Sequence, residues 1–234
     1  MRSISASGAL LLILATHGTT VAQVQGERPE YAIHRTTTPI EVDGRLEEPA
    51  WFAVPDVGPF TFPRYESGEQ EQTVVKLLWD DTHLYTAYLV QDAHISATRT
   101  ERDSEVWYDD AVEIFGSPDP ERPDAYFNIE MNALGAFLDQ FRPGGRGAER
   151  MEWNGEWIRV KTTIVGTLND DTDEDEYWIL EAAIPFANFA GTARNTPPRI
   201  GDRWRLNLNR LGGITNPQAS QWSPSLPNFH QPEQ

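Results

Sequence analysis

The 234-residue sequence contains no cysteine, so no disulfide holds its fold and thiol chemistry is excluded. Lysine is nearly absent too. Lys76 and Lys161 are the only two, set against 36 acidic residues, and the formal net charge is −17. Such a chain offers no basic face, which excludes nucleic acid as a partner class. Beyond the N terminus no long apolar run occurs, so no membrane span is expected in the mature chain. The histidines show no H-E-x-x-H spacing and the serines no G-x-S-x-G elbow. The common metalloprotease and serine-hydrolase signatures are therefore missing.

Turn formers and aromatics are plentiful. Seventeen Gly and seventeen Pro point to many short strands joined by turns. The N terminus is of a different kind. Arg2, then the short apolar run 9–15, then Thr20-Val21-Ala22 before Gln23 form a secretory signal pattern over residues 1–22. The run is too short to span a bilayer. Export follows as the expectation, to the medium or the periplasm. Residues 23–30 read as a polar linker, and residues 31–234 as one domain.

Within that domain, Ile40 to Gly44 reads as a short strand. The stretch 46–51 suits one helical turn that lays Trp51 on the core. Residues 73–79 and 84–91 read as two central strands joined by a four-residue loop, 80–83. Further strands are expected at 157–165, 177–184 and 203–210, with a helical turn at 185–189. In the last strand Trp204, Leu206 and Leu208 alternate with Arg205, Asn207 and Asn209. Nine or ten strands and almost no helix predict an all-β chain, an antiparallel β-sandwich.

Residues 105–139 carry the chemistry. Val112 and Ile114 alternate with Ala111, Glu113 and Phe115, because successive side chains of a strand point to opposite faces. Phe127, Ile129 and Met131 alternate in the same way with Asn128, Glu130 and Asn132. The turn 117–120, Ser-Pro-Asp-Pro, ends both strands. Two neighbouring strands thus pair an apolar face with a polar one, and Trp107 stands just before the first. A polar face beside an indole suits a pyranose: the ring covers the C–H face, and amides and carboxylates take the hydroxyl rim. The alternative is a solvated sheet face, with Glu113 paired to Arg205 or Arg210. Glu113 and Glu130 also share a face, which leaves open a pair of catalytic carboxyl groups. With 36 acidic residues in the chain, such a pair arises easily.

The residues IEVDGRLEEPAW (40–51), VKLLWDDTHLYTAYLVQDAHI (75–95), VWYDDAVEIF (106–115), YFNIEMNALGAFLDQ (126–140), GTLNDDTDEDEYWILEAAIPF (166–186), GDRWRLNLNR (201–210) and WSPSLPNFHQPE (222–233) together resemble carbohydrate-binding module family 9 and its secreted relatives. The resemblance implies a jelly-roll β-sandwich and non-catalytic binding of glucan- or xylan-type glycans, often at reducing ends, in polysaccharide catabolism. It also implies a glycoside hydrolase as partner. A hydrolase of O-glycosyl bonds, and a surface interaction domain without sugar binding, are the alternative functions.

In the family two aromatic rings sandwich the sugar above a polar floor that opens to water. By resemblance the rings fall on Trp107 and Phe229, and the rim on Glu113, Asn128 and Asn207. Where the family often has Arg, this sequence has Asn128. The family also continues through a Gly into a last strand. Here either that sheet position stays empty or the sequence is a piece of a longer chain. The acidic loop 169–176 spaces Asp171, Asp173 and Asp175 alternately, as oxygen ligands for a structural calcium would be spaced, although a solvated acidic loop fits the same residues.

Overall fold

The computed structural model describes residues 28–63, 65–144, 153–224 and 229–230. The signal pattern 1–22 and residues 23–27 of the expected linker lie outside these.

The elements run β1 (His34–Arg35), α1 (Pro49–Phe52), β2 (Thr73–Trp79), β3 (His83–Gln91), β4 (Ala111–Ser117), β5 (Tyr126–Asn132) and β6 (Phe137–Arg142). They continue with β7 (Arg159–Val165), β8 (Tyr177–Pro185), β9 (Arg205–Leu211) and β10 (Ala219–Gln221). Short 3₁₀ turns occupy Val106–Tyr108 and Phe186–Phe189. Two five-stranded sheets form, in the orders β1-β2-β3-β8-β7 and β10-β9-β4-β5-β6. All pairings are antiparallel except the short parallel one between β1 and β2. The chain crosses between sheets after β3, β6 and β8, which makes this a β-sandwich of jelly-roll type, as expected.

Strand parity decides what the layer between the sheets contains. Val75, Leu77, Tyr88, Val90, Trp178 and Leu180 of the first sheet meet Val112, Ile114, Phe127, Ile129, Met131 and Leu208 of the second. At about 25 cal/mol per Å² of apolar surface, each such side chain contributes roughly 1.5–3 kcal/mol. Gly116 is required here: a Cβ on it would lie 2.5 Å from the Phe127 ring. The ring instead packs 4.6 Å, centre to centre, from Phe189.

A second, smaller cluster lies on the outer face of the first sheet. Ile40, Trp51 and Val54 cover Leu78, Tyr85, Ala87 and Ala183. The helical turn α1 does place Trp51 there, and its indole Nε1 donates to Glu181 Oε1 at 3.1 Å.

Several bounds differ from the expectation. The strand expected at 40–44 does not form, and Ile40 instead packs over the first sheet from an irregular segment. The strand expected at 203–210 runs Arg205–Leu211. Two further differences have a visible local cause. His83 joins β3, because Asp80 Oδ1 accepts from the backbone N–H of both Thr82 and His83 and closes the loop within three residues. β7 begins at Arg159 rather than Trp157, because Trp157 has φ 61° and a left-handed backbone cannot continue a strand.

Candidate functional site

β4 and β5 run through the middle of the second sheet, and strand register builds a polar grid on its outer face. Glu113 stands between Glu130 on β5 and Asn209 on β9. One step along, Phe115 stands between Asn128 and Asn207. Gln140 extends that row beyond Asn128, and Gln221 extends the other beyond Asn209.

The grid is bonded internally. Asn209 Nδ2 donates to Glu113 Oε2 at 3.1 Å, and Asn128 Nδ2 donates to Glu130 Oε1 at 2.8 Å. Burial, and next the charge of Glu130, hold the Glu113 carboxyl well above the usual range, while the Asn209 hydrogen bond pulls it down. The acid pair therefore keeps a proton at pH values where an isolated carboxyl has lost it. Among the described residues, the side-chain oxygens Asn128 Oδ1 and Asn209 Oδ1 are buried and accept no hydrogen bond. Buried polar atoms are satisfied as a rule, so two such acceptors on one face invite a donor from outside the protein.

The grid is neither a solvated face nor an open floor. Glu113 is 3% exposed, and Asn128 and Asn209 are fully buried. Aromatic groups close it from two sides. Trp107 packs beside Val106, Ala136 and Leu138, the last being Glu130's neighbour on β6. At the other end His230 meets Phe115 edge-on, 4.9 Å between centres, and its Nδ1 shares a 2.9 Å hydrogen bond with the Tyr126 hydroxyl.

The sequence-derived residues divide accordingly. Glu113 and Asn128 sit in the grid. Trp107 is half-buried in the 106–108 turn, outside the layer between the sheets. Phe229 is half-buried next to His230. Asn207 belongs to the Phe115 row, but its amide grips the chain after β10: Nδ2 donates to the Ser223 carbonyl at 2.8 Å, and Oδ1 accepts from the Ser223 N–H at 2.9 Å. It acts as a tether for the segment leading toward Phe229. Arg210 does not reach Glu113. Its parity turns it inward, where it bonds Glu71 and Asp92.

Sequence reasoning did not single out Asn209, Gln140 or His230, which register and contacts bring to this face. Asn209 shares the parity of Asn207, which was the available signal.

The aspartates of the 169–176 loop do not gather into a calcium shell. Asp175 is buried, and its oxygens accept from the Ile95 and Thr167 backbone N–H groups. Asp171 accepts from the Thr215 hydroxyl, and Asp173 is exposed. Among the described residues no group of three or more His, Asp or Glu is placed to hold a metal ion. This donor set does not fit the ion.

Two surface clefts lie away from the grid. One, of about 180 Å³, is lined by Pro118, Glu121, Arg194 and Trp204, and one of about 490 Å³ by Phe52, Val74, Lys76 and Ile179.

The fold and this face together define a jelly-roll sandwich with an aromatic-flanked polar grid on one sheet. The chain belongs to the family described as carbohydrate family 9 binding domain-like, whose model matches residues 42–201. No curated protein matches the sequence. Among solved structures, it resembles a provisionally named carbohydrate-binding protein from Bacteroides uniformis (TM-score 0.68, 19% identity, covering 86% of this chain and 94% of that one). It also resembles a family 9 carbohydrate-binding module from Caldicellulosiruptor kristjanssonii in complex with cellotriose (TM-score 0.52, 19% identity, 82% and 87% covered). The same kind of module from that organism in complex with glucose gives TM-score 0.53, 18% identity, and 82% and 89% coverage.

Proposed function

We propose that this protein binds neutral gluco-oligosaccharides at the grid, without cleaving them. The observation that carries the reading is the pair of buried, unengaged carbonyls, Asn128 Oδ1 and Asn209 Oδ1, on a face flanked by the Trp107 indole. A sugar's hydroxyls donate to such acceptors, and its C–H face packs on an indole. Family membership and the sugar complexes of the structural neighbours support the same class of ligand.

The residues take distinct roles. Trp107 supplies one stacking wall and Phe229 the other. Glu113 and Asn128 supply the rim, and Asn207 holds the segment that leads to the second wall. Glu113 and Glu130 act as binding groups, each already bonded to a neighbouring amide. The net charge of −17 favours neutral glycans over uronic or sulfated ones. The N-terminal signal pattern supports a location outside the cytoplasm, and this reading includes a role beside a glycoside hydrolase in polysaccharide breakdown. Among the described residues no helix is long and apolar enough to cross a membrane.

Isothermal titration with glucose, cellobiose, xylobiose and their borohydride-reduced forms tests the reading. Binding is expected, with rejection of the reduced sugars marking a reducing-end reader. Trp107→Ala is expected to weaken it by about 1–3 kcal/mol, the range for stacking on an aromatic ring. No heat with any sugar, or full affinity in the variant, refutes it.

A further inference from the structure

We infer that Tyr108 forms an outer subsite that stacks on the second sugar unit of an oligosaccharide whose first unit occupies the grid; this rests on the reading above.

The argument starts from exposure. Tyr108 is 56% exposed, and it lies next to the half-buried wall residue Trp107, with 5.7 Å between ring centres and 45° between planes. That exposure leaves the Tyr108 ring accessible to a ligand. An exposed ring set at an angle to a half-buried one forms a curved platform rather than a single wall.

The ring is held in place. The Arg99 guanidinium lies over it, 5.1 Å from the ring centre. Arg99 is itself fixed, because its Nη1 bonds Asp109 Oδ1 at 2.7 Å and its backbone N–H donates to Asp109 Oδ2 at 3.0 Å. Asp109 is 2% exposed and also accepts from Asn132 Nδ2 at 2.8 Å. Asn132 Nδ2 donates to the Arg99 carbonyl as well. A buried carboxylate and a buried amide thus lock the arginine that backs one side of the tyrosine. Such bracing lowers the ordering cost of binding on the other side. It also enriches the electron-rich ring's contact with a cation, so the tyrosine keeps one orientation.

Register gives the direction of the ligand. Along β5 the grid runs Tyr126, Asn128, Glu130, Asn132, and His230 closes the Tyr126 end. Asn132 ends the strand and touches Asp109 and Arg99, so Tyr108 stands at the opposite end. An oligosaccharide seated on Asn128 and Glu113 leaves the grid past Trp107 and over Tyr108.

The test is titration of the full chain and of Tyr108→Ala and Tyr108→Phe with glucose, cellobiose and cellotriose. Wild type is expected to bind the longer sugars more tightly than glucose. Tyr108→Ala is expected to lose about tenfold on cellotriose while glucose affinity stays unchanged, and Tyr108→Phe to keep both. Circular dichroism checks that the exposed-site variant is folded. Binding of glucose with an unchanged glucose-to-cellotriose ratio in Tyr108→Ala overturns the outer subsite alone. Absence of binding to all three sugars by wild type overturns the grid reading and the subsite with it.

Discussion

Arg210→Met tests the account of how the second sheet is anchored. Arg210 is fully buried on the inner side of β9. Its Nη2 lies 2.8 Å from Glu71 Oε2, 3.1 Å from Asp92 Oδ2 and 3.8 Å from Asp110 Oδ1. Methionine matches its length but leaves three buried carboxyl groups without their cation. Removing one partner of a buried pair costs about 3–5 kcal/mol, which for a domain of this size lowers Tm by roughly 6–20 °C. The loss has a pH signature. Asp110 is pushed up to about 7, by burial first and then by the charge of Asp92, while Arg210 pulls it down. Without the guanidinium that pull is gone, and the folded-state value rises further. A carboxyl with a raised folded-state value holds a proton that the unfolded chain has lost, so its contribution to stability falls as pH rises between the two values. The cost of Arg210→Met is therefore larger at about pH 8 than at about pH 5. Urea unfolding of both proteins at the two pH values, followed by tryptophan fluorescence, measures it. A cost below about 1 kcal/mol, or one equal at both pH values, refutes the reasoning.

Two further outcomes follow from named hydrogen bonds. Glu181→Leu leaves the Trp51 Nε1–H and the N–H groups of Asp43 and Gly44 without their acceptor, at about 1–3 kcal/mol for each donor left buried. Burial pushes Glu181 up to about 7, so wild-type stability falls as pH rises from the carboxyl's ordinary value through that point. The variant lacks this titration, so urea melts are expected to show a larger deficit in acid than at neutral pH, the reverse of Arg210→Met. Asn207→Ala releases both bonds to Ser223; faster limited proteolysis after β10 and weaker sugar binding with β4 and β5 intact are expected, and unchanged cleavage counts against the tether.

Much of this arrangement was legible in the sequence, because strand parity is a strong signal. Val112 and Ile114 against Glu113 and Phe115 gave the two faces of β4, and Trp51 gave the cover of the first sheet. The same parity excludes an ion pair between Glu113 and Arg210, since 208 and 210 point inward together. Other features were hidden because they depend on contacts distant in the chain. The polar face read as open; it is closed in part by His230, 104 residues from the Tyr126 it bonds. The acidic loop read as either a calcium site or a solvated loop; one of its aspartates, Asp175, is buried and accepts from an N–H 80 residues earlier. Trp157 looked like a strand residue because nothing in local composition announces a left-handed backbone.

Those distant contacts also explain why so acidic a chain holds together without disulfides. Carboxylates do the tying. Glu181 reaches Trp51 across 130 residues, Glu71 reaches Arg210 across 139, and Asp110 accepts from the Gly213 N–H across 103. In each tie the donor is a backbone N–H, an indole or an arginine, and the acceptor is buried, where a charge-assisted hydrogen bond is stronger than in water. A fold stabilised in this way tolerates a large negative charge because the carboxylates that matter are engaged. The grid on β4, β5 and β9 departs from the pattern. There a second carboxylate, Glu130, stands where a cation would close the set, and two amide oxygens accept nothing among the described residues. A stability device would have filled those positions with Arg210's equivalent. Unfilled buried acceptors cost folding energy, and the donors of the ligand proposed above would satisfy them.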